Sequence, residues 1–88
     1  MVSQKVKITN PAGLHVYPAG CLCETAMEFE CKITFKTAKG SISNAKSLLS
    51  VLGAAVRCGE ELEFICEGVD EEEALAKMIA VVESGLTE

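Results

Sequence analysis

Chemistry has few places to reside in this sequence. There is one histidine, His15, and the chain carries no Ser/His/Asp set, no carboxylate pair ahead of a plausible cleft and neither glycine motif that cradles phosphates. His15 follows the turn cluster Asn10-Pro11-Ala12-Gly13 and precedes a helical pattern, which places it at the amino-terminal end of the first helix. A helix end offers unpaired N–H groups and the positive end of its dipole. Those features disfavour an imidazolium, and the neutral ring is the nucleophilic form. They also stabilise a dianionic phosphoryl group once it is attached to the ring. The placement suits a histidine that accepts a phosphoryl group and hands it on. On local sequence alone, an ordinary surface histidine beside a cap fits the same residues.

Ser47 is the second candidate. It follows Asn44-Ala45-Lys46 at the start of a short helix, where a phosphate meets free N–H groups without unfolding anything. An ordinary first-turn serine is the competing reading. Leu48, Leu49 and Leu52 beside it supply more apolar surface than so short a helix buries. A docking patch is the preferred reading of that surplus, because the same element carries Ser47.

The five cysteines, Cys21, Cys23, Cys31, Cys58 and Cys66, are odd in number and occur without an export signal. They read as reduced thiols in small apolar positions rather than a disulfide framework. Cys21 and Cys23 diverge by about 200° on a helix, and no histidine nearby completes a zinc set. Neither metal nor cofactor is expected. Cys58, after Arg57 in a polar loop, is the thiol most open to reaction.

The elements that must position these residues follow from periodicity. Val6 and Ile8 alternate with Lys5, Lys7 and Thr9, a half-buried strand. From His15 the period changes: Ala19, Leu22, Cys23, Ala26 and Phe29 share one helical face, and Pro18 sits in the first turn. Cys31, Ile33 and Phe35 form a second strand, which turns at Ala38-Lys39-Gly40 into a short return strand at 41–43. A short helix over 47–52 is stopped by Gly53, and Leu62, Phe64 and Cys66 mark the last strand. Asp70 with Glu73 predicts a capping box, and Leu75, Met78, Ile79 and Val82 continue as a helix that ends at Ser84-Gly85. The order is βαββαβα in one domain spanning residues 1–88. Because each strand alternates, one sheet face is dry, which makes an α+β open-faced sandwich with a four-stranded antiparallel sheet covered on one face by helices.

Composition narrows the function classes. At 49% hydrophobic and 24% charged, the chain is an ordinary folded globule. No apolar run approaches the roughly 20 residues of a membrane helix. The amino terminus reads as neither a secretory nor a transit signal, so a cytoplasmic location is expected. The net charge of −5 argues against nucleic acid as the main partner. It hides an asymmetry: residues 1–59 hold seven basic and three acidic side chains, net +4, and residues 60–88 hold one basic and ten acidic, net −9.

Gly13-Leu14-His15-Val16-Tyr17-Pro18-Ala19 resembles the active-site segment of the HPr family, the histidine-containing phosphocarriers of the bacterial phosphoenolpyruvate-dependent sugar phosphotransferase system. Asn44-Ala45-Lys46-Ser47-Leu48-Leu49 resembles the regulatory serine segment of its Gram-positive members, and the likeness extends through Cys58-Gly59 and Glu67-Gly68-Val69-Asp70-Glu71. The resemblance implies a monomer that takes a phosphoryl group from Enzyme I onto His15, at Nδ1, and passes it to enzyme IIA domains. Val16 and Tyr17 are then the expected phosphate contacts. Ser47 corresponds to the target of HPr kinase/phosphorylase, and its phosphorylated form to a ligand of a catabolite-control transcription regulator. Gly20, Cys21, Leu48, Leu49 and Leu52 correspond to the shared docking surface. One position departs from the pattern: the family places an arginine two residues after its histidine, and Tyr17 stands here. A neutral phenol replaces a bidentate cation, so the alternative reading is a regulatory binding module with weak or no transfer through His15.

Overall fold

The computed structural model describes residues 1–86. Its elements are β1 (Val2–Lys7), α1 (Val16–Met27), β2 (Lys32–Thr37), β3 (Ile42–Asn44), α2 (Leu48–Gly53), β4 (Glu61–Glu67) and α3 (Glu71–Glu83), the expected βαββαβα order. The strands form one sheet in the order β1-β4-β2-β3, with every neighbouring pair antiparallel. The last strand therefore enters between the first two, with Val2 opposite Cys66 and Ile33 also opposite Cys66. Alternation sends Val6, Ile33, Phe35, Leu62, Phe64 and Cys66 to the covered face, where all are buried. Phe35 and Phe64, directly opposite each other, meet edge to face with centroids 5.9 Å apart. The helices close over this layer: α3 packs on β1 and β4, and α1 packs on α3 and α2. Leu22, Ala26, Ala74, Met78 and Val82 are fully buried between them, and each large side chain so buried contributes roughly 1.5–3 kcal/mol. The open face pairs opposite charges across strands: Lys5 and Lys36 flank Glu63, and Lys32 faces Glu67. No helix among the described residues is long and apolar enough to cross a membrane.

Helix ends show where tertiary demands override local pattern. Asp70 is the N-cap of α3, yet its side chain makes no bond to that helix, so the expected capping box does not form. Its carboxylate instead accepts from the backbone N–H groups of Glu30 and Cys31, both at 2.9 Å. Two donors leaving α1 have no strand partner there, and a charged acceptor satisfies both at once. Glu71 takes the local role, its Oε1 accepting from Gly68 N–H at 3.0 Å. At the other end, α3 closes with Gly85 N–H on Val82 O and Leu86 N–H on Val81 O, over the buried Leu86.

The Asp70 contacts carry a pH consequence. The hydrogen bond from Glu30, followed by those from Cys31, holds the Asp70 carboxyl below its ordinary 3.8. A folded-state value below the unfolded one stabilises the fold above the unfolded value, and that contribution is lost as pH falls through the folded one. Thermal melts between pH 6 and 2 should therefore show a loss of stability beginning near 3.8, and Asp70→Asn should flatten that part of the profile while lowering the plateau.

The short helix α2 differs in detail from expectation. Ser47 precedes it as N-cap instead of lying in its first turn, and the helix runs through Gly53 to a C-cap at Ala54. Reversal falls on Ala55, held at φ 52. Its N–H reaches Leu52 O at 3.1 Å, the bond that fixes the left-handed conformation. A left-handed alanine costs about 1–2 kcal/mol, and glycine recovers part of that against its larger unfolded-state entropy. Ala55→Gly should stabilise by about 0.5–1 kcal/mol in urea denaturation, with an unchanged m-value.

Candidate functional site

His15 is the N-cap of α1, at φ −76 and ψ −175, and its exposed side chain makes no capping bond. Its carbonyl starts the helix by accepting from Ala19 N–H at 2.8 Å. The ring thus stands at the head of a 12-residue helix, and Val16 and Tyr17 follow it in the first turn, 68% and 66% exposed. Pro18, buried, brings no N–H to that turn. His15 thus stands at the helix end where the sequence places it.

What fixes the ring's location is a loop that periodicity did not single out. The buried Asn10 closes the preceding turn twice: its Nδ2 donates to Gly13 O at 2.7 Å, and its carbonyl accepts from Gly13 N–H at 3.0 Å. Leu14, 3% exposed, anchors in the core while its N–H donates to Val56 O at 3.0 Å. Gly13 adopts φ +63 pressed against the segment 56–58, where a Cβ would fall 2.6 Å from Val56 O and 2.9 Å from Arg57 Cα. Further bonds tie the two segments: Ile8 N–H to Glu60 O, Gly59 N–H to Ile8 O, and the Cys58 thiol to Thr9 O at 3.6 Å. The loop 56–60 is a platform for the histidine turn. Gly13 and Gly59 were its only traces in the sequence, because a contact 43 residues distant leaves no periodic signal.

Ser47 lies at the head of α2, its Oγ accepting from Ser50 N–H at 3.2 Å. The turn before it is braced by Asn44 Oδ1, which accepts from Lys46 N–H at 3.0 Å, and by Ser50 Oγ, which accepts from Asn44 N–H at 2.9 Å. Ala45, fully buried, donates to Ile33 O and roots the turn in the sheet. Lys46 reaches the other way: Nζ donates to Phe29 O at 2.6 Å, just past the carboxyl-terminal end of α1. It serves the negative end of the helix whose positive end carries His15, so Lys46 is no cation for the histidine.

The expected docking residues divide. Leu49 is 82% exposed and Leu48 also faces solvent. Leu52 is half-buried against the core, and Gly20 is half-buried with open space above it. Cys21 is corrected: at 5% exposure it belongs to the core, because its side chain falls on the face of α1 shared with Leu22 and Thr25. Cys23 and Phe29, read as core, are half-buried, Phe29 lying beyond the end of α1.

All five thiols are free. Burial, then the neighbouring Asp70 carboxylate, pushes Cys31 up to about 12, and burial raises Cys66 as well. Both stay protonated and inert as nucleophiles. Cys58 is the exposed thiol. Among the described residues no three His, Cys, Asp or Glu side chains gather as a metal site. A hollow of about 220 Å³ on the open sheet face is lined by Lys5, Lys36, Glu61 and Glu63, and His15 is not among its lining residues.

Comparison with known proteins agrees with this geometry. Residues 2–84 match the family model described as the phosphorylation site of the PTS HPr component. The chain is 40% identical over 76 residues to the phosphocarrier protein HPr of Treponema pallidum, covering 86% of this chain and 85% of that one. It is 36% identical over 87 residues to the phosphocarrier protein NPr of Escherichia coli K12, covering 99% and 97%. An HPr crystal structure from Thermoanaerobacter tengcongensis superimposes with a TM-score of 0.94 at 32% identity, over 100% of this chain and 98% of that one. The exposed histidine at a helix head, the open-faced sandwich and the full-length match converge, and the chain belongs to the HPr family of phosphotransferase-system phosphocarriers, which carry phosphoryl groups and are not themselves enzymes.

Proposed function

We propose that His15 is the phosphoryl acceptor, loaded by Enzyme I and unloaded onto enzyme IIA domains during sugar uptake. The observation that carries this reading is the placement of His15: an exposed ring on a turn clamped to the 56–60 platform, at the positive end of α1. A neutral ring nitrogen attacks phosphorus as the donor's bond to phosphorus breaks, its electron pair staying on the donor. The proton lost from the other ring nitrogen neutralises the donor. Val16 and Tyr17, in the first turn, are the phosphoryl contacts, and the helix dipole offsets part of the new charge. One copy of the chain holds the whole site.

Leu48 and Leu49 supply the apolar contact for these partners, supported by their exposure. Ser47 is the regulatory site for HPr kinase/phosphorylase, and its phosphorylated form engages a catabolite-control transcription regulator. The support is its location at the head of α2 in a turn braced independently of its own hydroxyl by Asn44 and Ser50. Phosphate added there does not need that brace to break.

Incubation with phosphoenolpyruvate and Enzyme I should yield an acid-labile adduct of one phosphoryl mass. Absence of that adduct at high Enzyme I would overturn the carrier reading. One observation favours a second reading: the neutral Tyr17 occupies the first turn where a fork of guanidinium donors would grip phosphate. A regulatory module of this kind accepts phosphate from ATP at Ser47 with negligible labelling of His15. Efficient sugar uptake in a strain carrying only this protein would rule the module out, and the variant Tyr17→Arg shows whether position 17 limits transfer. A charge-assisted hydrogen bond contributes about 1.5–3 kcal/mol, so labelling of His15 should rise roughly tenfold or more where Tyr17 is what limits it.

A further inference from the structure

We infer that Arg57 supplies the positive charge at the phosphoryl group of His15, an assignment that rests on the carrier reading proposed above. A phosphorylated ring gathers close to two negative charges at the head of α1. The first turn of that helix, Val16-Tyr17-Pro18, contains no cation, and Pro18 contributes no N–H. A cation must therefore come from another element. Lys46 is committed to Phe29 O at the opposite end of α1. Lys5, Lys7, Lys32 and Lys36 lie on the open face of the sheet opposite glutamates, Lys39 is in the turn between β2 and β3, and Lys77 is on α3.

Arg57 is different in each respect. Its Cα lies against Gly13, where an added Cβ would approach to 2.9 Å, and the adjacent Val56 carbonyl holds Leu14 N–H at 3.0 Å. The root of the side chain is thus fixed beside the turn that ends in His15. Arg57 is exposed, and among the described residues its guanidinium makes neither an ion pair nor a hydrogen bond. The nearest carboxylate in sequence, Glu60, uses its backbone N–H on Arg57 O and does not pair with the guanidinium. A long cationic fork, anchored at its base and unpaired at its tip, matches what a phosphoryl dianion requires. The platform loop then both places the histidine and neutralises its adduct.

The test measures kcat and KM of Enzyme I with this protein as phosphoryl acceptor, together with a pH titration of the phosphoryl ³¹P resonance in the purified adduct. Arg57→Ala should lower kcat/KM about tenfold or more, chiefly in kcat, and Arg57→Lys should recover most of that loss. In a Tyr17→Arg background the same alanine change should cost less than about twofold, because a second cation covers the role. The phosphoryl protonation midpoint should rise by about half a pH unit in Arg57→Ala, since removing a cation disfavours the dianion. Wild-type kcat/KM in Arg57→Ala, or an unmoved midpoint, overturns the assignment, and a loss confined to KM reassigns Arg57 to partner docking. Failure of the wild type to take up phosphate at all removes the carrier reading, and the Arg57 assignment falls with it.

Discussion

His15→Ala should accept no phosphoryl group from Enzyme I and should melt within a few degrees of the parent protein. Both halves follow from the same geometry. The ring is exposed and makes no capping bond, so its loss removes little that holds the fold. Surface changes of that kind usually stay within about 0.5 kcal/mol. The helix start is held by the backbone, through His15 O and Ala19 N–H, which alanine preserves. The chemistry has no such reserve, because the chain contains no second histidine, and the most strongly shifted thiol, Cys31, is held protonated. Labelling should therefore fall below detection rather than by a factor. Mass spectrometry at neutral and acid pH reads the adduct, and calorimetry reads the fold. A persistent acid-labile adduct in His15→Ala would move the acceptor elsewhere. Ser47 phosphorylation by HPr kinase/phosphorylase should continue in this variant, since Ser47 is braced by Asn44 and Ser50 and not by α1.

The second large effect belongs to Gly13. Gly13→Ala should destabilise the protein by about 2–4 kcal/mol, combining a left-handed alanine with an overpacked contact. The φ of +63 alone accounts for the smaller part. The larger part arises because the new Cβ meets backbone, Val56 O at 2.6 Å and Arg57 Cα at 2.9 Å, which cannot swing aside as a side-chain tip could. The two segments must separate, and the bond from Leu14 N–H to Val56 O lengthens with them. For a domain of this size the melting temperature should fall by roughly 10–25 °C. Labelling of His15 should drop even below the melting transition, because the turn that aims the ring has moved. Gly20 provides the contrast, as a Cβ there meets nothing within 4 Å. Gly20→Ala lies within α1 and should stabilise by up to about 1 kcal/mol. Equal effects at the two glycines would refute the close-approach argument.

Much of this architecture is legible without coordinates, and the reasons are local. Alternation in Val6-Lys7-Ile8, Ile33-Thr34-Phe35 and Leu62-Glu63-Phe64 reports strands half covered by helices. The change to helical spacing after His15 reports where the cover begins. His15 itself is legible because a turn cluster immediately before an amphipathic run can only place it at a helix end. The same reasoning sets Cys23 on the covered face, where it is only half-buried, while Cys21, a docking residue by the resemblance alone, is buried as an apolar thiol; adjacent helical positions differ by about 100°, and a small apolar side chain gives no sign of which way it turns. It also misreads Asp70, whose sequence spacing to Glu73 advertises a local bond. The carboxylate is taken by Glu30 and Cys31, about 40 residues away in the chain.

By itself, then, the amino-acid sequence determines the elements, their covered faces, the helix-head location of His15 and the absence of a cation at position 17. These depend on spacing within a few residues, and periodicity records them directly. Tertiary structure alone decides that β4 enters between β1 and β2, that Lys46 serves the far end of α1, and that the loop 56–60 becomes the bed of the histidine turn. Those outcomes are set by which backbone donors remain unsatisfied once the sheet has closed, and by where a glycine lets two segments approach. Both are properties of the assembled chain, in which residues distant in sequence compete for the same acceptors.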